Sequence, residues 1–393
     1  MNRIFQRLIL KRRGTINQVV IVQSTYTPFG GVERVALSLI KGLLQKDTQV
    51  ILLTLPGQKW PVQSPHLTIV PMGIKRGHRL LKAWAFNRSV NRYVTTYAVS
   101  TILSLDKVTT FTHLHAGGGT HKTFLRIKSG YSNAISNFFR SISPFHRYFL
   151  YLEKKGFKNP RLIKVRCNSS MVREDIRREY GVNKDKLIVI HSGIRWQAME
   201  NTFEQRAVIA ETLREEHQLD PGWKCLLFLG SGFDRKGLDV AIKGLAKMPG
   251  AYHLLVVGSG APDRYLKLAR RHHLENHIHF LGPQKDGWRY ATLCRAMVLP
   301  SQYDPFGGAS AEGHAMGIPV LISDKTGYAD FVTHGENGVI LKTPMNAAHI
   351  ETAFNELAAL LERPKWTPEQ IRAHARQVDD DVILEKLLKD FIP

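Results

Sequence analysis

The chain has 393 residues, 43% of them apolar, with 18 Phe, 12 Tyr and 6 Trp. That is too long for one ordinary core and too apolar for wholesale disorder, so two globular domains are expected. The net charge of +22 is unevenly spread: 33 Lys and Arg stand against 8 Asp and Glu through Arg195, and 22 against 25 beyond it.

The first segment, Met1–Asn17, is basic, and its apolar run stops at Leu10. It is too short and too charged for a secretory signal. It reads either as a frayed basic terminus or as a turn or two touching a membrane. No stretch of the chain reaches the roughly eighteen apolar residues that cross a bilayer. The three cysteines, Cys167, Cys225 and Cys294, are far apart and lack metal spacing. A reduced, intracellular setting is expected from them.

Gln18–Gln23 is a continuous apolar run of the buried parallel-strand type. A loop with Gly30-Gly31 follows, then a helix with apolar spacing at Val35, Leu39 and Leu43, then a strand over Gln49–Leu53. Strand, glycine loop, helix and strand open a doubly wound α/β domain. Further strands are expected at 99–104, 110–114, 163–168 and 187–191. The pattern restarts with strands at 225–229, 253–257, 277–281, 296–300 and 319–323, and helices at 237–246 and 261–272. The expected fold class is therefore α/β, with two Rossmann-like domains joined near Gly193–Phe203. A last helix over 367–391 is expected to cross back to the first domain.

Four segments carry candidate chemistry. In Pro300–Ser323, Asp304 lies in a loop, Phe306-Gly307-Gly308 opens a helix, and Glu312 lies on that helix. Amide groups at a helix start can hold polar or anionic atoms. Asp304 can accept hydrogen bonds from sugar hydroxyls and Glu312 from a ribose; from spacing alone the plainer reading is that Asp304 caps the helix and Glu312 is an ordinary helix residue. In Phe228–Asp239, a glycine-rich loop precedes Arg235-Lys236, adjacent cations that suit a diphosphate or simply form a basic turn. Gly30-Gly31 lets backbone approach a ligand, or makes a turn. In Thr112–His121, His113 and His115 share a strand face with no carboxylate or Cys nearby, so a metal is not expected. His121, after three glycines, is the better placed to donate a hydrogen bond into a cleft.

Asp304-x7-Glu312 followed by Gly317-x-Pro319 resembles the glutamate-x7-glutamate motif of retaining glycosyltransferase family 4. Gly232–Gly237 resembles its diphosphate loop, and Gly30-Gly31-Val-Glu-Arg its first glycine loop. The combination is similar to the bacterial lipopolysaccharide core glucosyltransferase I group, well matched through the second half and mainly in the glycine loops of the first. The resemblance implies a GT-B fold, two Rossmann-like domains facing across a cleft: an acceptor domain over 1–195, a nucleotide-sugar domain over 196–366 and a returning helix over 367–393. It implies that Arg235, Lys236 and the backbone at Gly232 and Gly31 hold the donor diphosphate, with Gly30 beside them. Glu312 would hold the ribose, and Asp304 with the Phe306-Gly307-Gly308-Ala309 backbone the sugar. His121 would sit by the reacting carbon and Gln284 by the base. Where the family usually has Glu, this chain has Asp304, shorter by one methylene, ~1.5 Å.

The activity implied is retaining, metal-independent transfer of a hexose from a nucleotide sugar, UDP-glucose first, to a membrane-associated glycolipid or lipopolysaccharide-core acceptor. No cofactor is implied. Lys75–Arg92 and Lys122–Arg166 interleave cations with Leu80, Leu81, Trp84, Phe86, Phe138, Phe139, Phe145, Tyr148, Phe149 and Tyr151. That composition suits an anionic membrane surface; a basic solvated face over core aromatics is the alternative. The expected protein is a monomer, peripheral on the inner face of the cytoplasmic membrane. A transferase with a soluble or protein acceptor, or a catalytically weak nucleotide-sugar binder, stays open. Nucleic acid is not an expected partner: no recognition motif accompanies the charge, and the second half is near neutral.

Overall fold

The computed structural model describes residues 18–27, 30–130, 138 and 140–392. The expectations for Met1–Asn17 and for Phe139 lie outside the described residues. The chain forms two units: the first is built from Met1–Cys167, Asp175–Val189 and Leu384–Pro393, the second from Asn168–Glu174 and Ile190–Ile383.

The sheet of the first unit holds β1 (Gln18–Val22), β2 (Gln49–Thr54), β3 (Leu67–Pro71), β4 (Thr101–Ser104), β5 (His113–Ala116), β6 (Lys164–Cys167) and β7 (Leu187–Val189). Their order is β3-β2-β1-β4-β5-β6-β7, and the pairings are parallel. The helices include α1 (Gly31–Gln45), α2 (Arg79–Thr96), α3 (His121–Ser129) and α4 (Pro144–Phe157). Val19 to Val22 are all buried, which is why β1 reads as an unbroken apolar run. Order reverses between β1 and β4, so the loops after these two strands flank a crevice at the switch point. The C-terminal segment packs within this unit. Phe391 meets the His113 ring edge-on at 5.5 Å, and a Cβ on Gly42 of α1 would come within 2.8 Å of Leu388.

In the second unit, β8 (Lys224–Leu229), β9 (Tyr252–Val257), β10 (Ile278–Gly282), β11 (Cys294–Leu299), β12 (Val320–Ser323) and β13 (Gly338–Leu341) run in the order β10-β9-β8-β11-β12-β13. Its pairings are parallel too. Alternate residues of β8 enter opposite cores. Cys225 and Leu227 join Trp288, Met297 and Phe306 on one face. Leu226 and Phe228 join Ala241, Val256 and Phe354 on the other. Both faces are covered, as a parallel sheet requires. Cys225 and Cys294 are register partners on β8 and β11, and all three cysteines are buried.

Three expectations change. β3 and β13 are strands the sequence reading leaves out. The join expected near Gly193–Phe203 is largely helix, Trp196–Glu204, whose Trp196, Met199 and Phe203 are buried in the second unit's core. The single helix expected over 367–391 is broken into Pro368–Ala375, a 3-10 turn, Asp380–Lys386 and a π-helical end. The cause is pairing with a distant segment: Asp379 is extended (φ −56°, ψ 137°) and bridges Ile194, which donates to Val378 O and accepts from the Asp380 amide.

Candidate functional site

In the second unit the order reverses between β8 and β11, and the loops leaving these strands carry the candidate residues. After β8, Gly230 (φ 154°) and Gly232 (φ 75°) turn the chain into α5 (Phe233–Lys236), which Gly237 (φ 77°) ends before α6 (Leu238–Leu245). Such φ values favour glycine. Gly237 has a second reason: a Cβ there would lie 2.1 Å from Pro300 O, so the β8 and β11 loops pack backbone to backbone. The Gln302 amide donates to Arg235 O at 2.8 Å and fixes their relative height.

This packing brings Arg235, Lys236 and Asp304 together. Lys236 Nζ donates to Asp304 Oδ2 at 2.5 Å, and both residues are buried. Arg235 is exposed; its Nη1 lies 3.7 Å from the same oxygen and donates to Tyr303 O at 3.3 Å. The other carboxylate oxygen, Oδ1, accepts from the Gly307 amide at 3.1 Å, three residues on. Burial pushes the Asp304 pKa up, but the two cations and the Gly307 amide outweigh it and hold the group below the usual carboxylate range. A side chain as short as Asp can close this local loop.

Gly307 (φ 88°) then caps α7 (Gly308–Ala315). Around Gly308 and Gly232, where a Cβ would touch nothing within 4 Å, backbone is open to a ligand. Phe306 is buried against Tyr328, Ala309 is half-buried, and Glu312 lies half-buried one turn along α7. A third loop, unassigned in the sequence reading, completes the arrangement: Asp304 donates its amide to Lys325 O, and the Gly327 amide donates to Asp304 O. Its signal was Gly327, where a Cβ would lie 2.1 Å from Pro305 O. Gln284 is exposed in the loop after β10, two strands from β8, and its amide donates to Leu281 O at 2.7 Å.

The remaining candidates belong to the first unit. Gly30 caps α1, and a Cβ on it would strike the Glu33 carboxylate; Gly31 faces open space. His121 starts α3, and Thr120 caps that helix through the Thr123 amide. The His121 ring nitrogen Nε2 lies 3.0 Å from His146 Nδ1, and the ring packs on Phe124 and Phe149. Burial, then the Lys107 charge, lowers its pKa to about 4. Buried Glu153 anchors this corner, accepting from Lys107, Tyr180 and the His121 and Lys122 amides. His113 pairs with Thr112 Oγ1 and His115 with Arg166. Among the described residues no group of three His, Cys, Asp or Glu side chains is placed to hold a metal. Of the apolar side chains read as interfacial, Phe86 is buried, whereas Leu81, Trp84, Phe138 and Tyr151 are exposed.

Two family models match, in chain order: Glycosyltransferase Family 4 over residues 29–196 and Glycosyl transferases group 1 over 209–377. The lipopolysaccharide glucosyltransferase WaaG of Escherichia coli K12 is 21% identical over 347 residues, 86% of this chain and 88% of that protein. The crystal structure of WaaG superposes with a TM-score of 0.74 at 18% identity, over 95% of this chain and 99% of that one. Anabaena Alr3699/HepE, solved in complex with UDP-glucose, superposes with a TM-score of 0.62 at 17% identity, over 95% and 98%. With both models matched in series over most of the chain and the two parallel sheets of the GT-B fold in place, the chain carries a Glycosyltransferase Family 4 domain followed by a Glycosyl transferases group 1 domain.

Proposed function

We propose that this glycosyltransferase takes a hexose from a nucleoside-diphosphate sugar, UDP-glucose first, and transfers it with retention to a membrane-associated saccharide acceptor. The observation that carries the reading is the convergence of Arg235, Lys236 and open backbone at Gly232 and Gly308 on the switch point of the second unit. Ligands of open α/β sheets bind there. Arg235 suits a diphosphate as a fork and Lys236 as a point charge. The UDP-glucose complex of HepE, a protein of like fold, supports the choice of donor.

In this reading the bond from the anomeric carbon to the diphosphate oxygen breaks as cationic character grows on the sugar. Arg235 and Lys236 stabilise the charge that appears on the diphosphate, preorganised by Asp304 before the donor arrives. The acceptor hydroxyl attacks from the face the diphosphate leaves and gives its proton to a diphosphate oxygen. Two cations meet the charge of the leaving group, so no metal is needed and activity survives EDTA. Glu312 takes the ribose hydroxyls, the Phe306–Ala309 backbone takes the sugar, and Gln284 borders the base.

The first unit takes the acceptor. Leu81, Trp84, Arg88 and Arg92 form one outward stripe of α2, with Arg88 5.5 Å from the Trp84 ring. Cations beside exposed apolar side chains suit an anionic bilayer surface. No helix among the described residues is long and apolar enough to cross a membrane.

Thermal-shift titration with UDP, GDP and ADP tests the donor reading, because a ligand of the folded state raises the melting temperature. UDP is expected to raise it, and Lys236→Ala to abolish the shift. No shift with any nucleoside diphosphate, together with no turnover of a nucleotide-sugar panel, sinks the reading.

A further inference from the structure

The first unit contains a cavity of about 480 Å³, all of whose walls come from that unit. It lies at the switch point between β1 and β4, under α2 and α4. Arg79, Lys82, Ala83 and Phe86 line it from α2; Phe145, Phe149 and Leu152 line it from α4. These residues recur at three- and four-residue intervals, so each helix gives the cavity one face. On α2 the opposite stripe carries exposed Leu81 and Trp84, and on α4 exposed Tyr151.

The lining is mostly hydrocarbon, and its carboxylates are already engaged. Asp106 accepts the Ser24 amide, and Glu153 holds Lys107 and the start of α3. Ser24, Thr25, Lys107 and His115 also line it, but apolar surface dominates, and hydroxyls buried against that surface without partners are costly. Arg79 and Lys82, by contrast, have no carboxylate partner among the described residues, and Arg79 lies 4.8 Å from the Phe145 ring. No acidic residue occurs between Asp47 and Asp106 to neutralise them.

We propose that this cavity seats the hydrocarbon of a phosphate-bearing lipid, with the phosphate held by Arg79 and Lys82. The inference rests on the transferase reading only in identifying that lipid with the acceptor: the glycosyl acceptor carries a hydrocarbon chain that leaves the bilayer and enters the protein.

The test is calorimetric titration with octyl, decyl and dodecyl phosphate below their micellar concentrations, with inorganic phosphate as the reference. Each added methylene is expected to raise affinity about fourfold, and inorganic phosphate alone is not expected to bind. Ala83→Trp, which fills the cavity, should flatten the chain-length series. Arg79→Gln with Lys82→Gln should weaken every member about tenfold or more and leave the slope intact. UDP titration of the same variants checks that the second unit stays folded. A series unchanged in Ala83→Trp overturns the proposal, since the chains would then be adsorbing elsewhere; so does the absence of binding by wild type. If no nucleoside diphosphate binds and no nucleotide sugar turns over while the chain-length series behaves as expected, the transferase reading falls and the lipid cavity stands.

Discussion

Lys236 Nζ and Asp304 Oδ2 lie 2.5 Å apart, 68 positions distant in the chain, and the contact ties the loop after β8 to the loop after β11. The pair is nearly dry, with side-chain exposures of 10% and 12%. Removing Lys236 leaves a buried carboxylate with only Arg235 and one amide. Lys236→Ala is expected to cost about 3 kcal/mol of stability, read by urea unfolding, and to abolish turnover.

The same pair sets an acid dependence. The folded-state pKa of Asp304 is depressed, so its contribution to stability is complete above the ordinary Asp pKa of about 3.9. That contribution is lost as pH falls through the folded value. In Lys236→Ala the depression shrinks, and the acid-side slope of stability against pH should flatten. Unfolding free energies measured from pH 7 down to pH 3 for both proteins check this.

His121 is expected to be neutral across the physiological range, because burial and Lys107 lower its pKa to about 4. Glu153 acts in the opposite direction and raises it. Glu153→Gln should therefore move the His121 titration to still lower pH, as followed by the ring proton resonances. A shift toward 6.5 would show that Glu153 does not face this imidazole.

Gly237 and Gly308 give a contrast between strain and access. An alanine at 237 would combine φ 77° with a carbonyl 2.1 Å away, whereas one at 308 meets open space. Gly237→Ala is expected to lose about 2 kcal/mol or more. Gly308→Ala should change stability by less than about 0.5 kcal/mol and weaken UDP-sugar binding several-fold. Paired unfolding and titration measurements separate the two effects.

Flotation on vesicles with and without anionic lipid tests the α2 stripe. Wild type should float with anionic vesicles, less so as salt rises. Leu81→Ser with Trp84→Ser should reduce the bound fraction while UDP binding is kept.

Much of the fold was legible because both parallel sheets bury both faces, leaving apolar runs such as Val19–Val22 and Leu226–Phe228 that few other structures require. The missed strands are less plain, one by exposure and the other, though buried, by its length. β3 is a half-exposed edge strand ending in Pro71, and β13 is four residues long after Asn337. The sequence also grouped Arg235, Lys236, Asp304 and Gly307, since each follows a buried strand. Three things were hidden because they are pairings between distant segments. The Asp304 carboxylate is divided between Lys236 and the Gly307 amide, the Lys325–Gly327 backbone braces Asp304, and Asp379 pairs with Ile194 and breaks the last helix.

The placement of the thiols has a practical outcome. Cys225 and Cys294 sit side by side within the second sheet, where burial pushes both thiols to higher pKa, and Cys167 ends β6 in the first. All three resist alkylation while the protein is folded. A cysteine introduced at exposed Trp84 or Lys267 would then be the sole group open to maleimide chemistry. A fluorophore could thus be attached to either unit without first stripping the native cysteines.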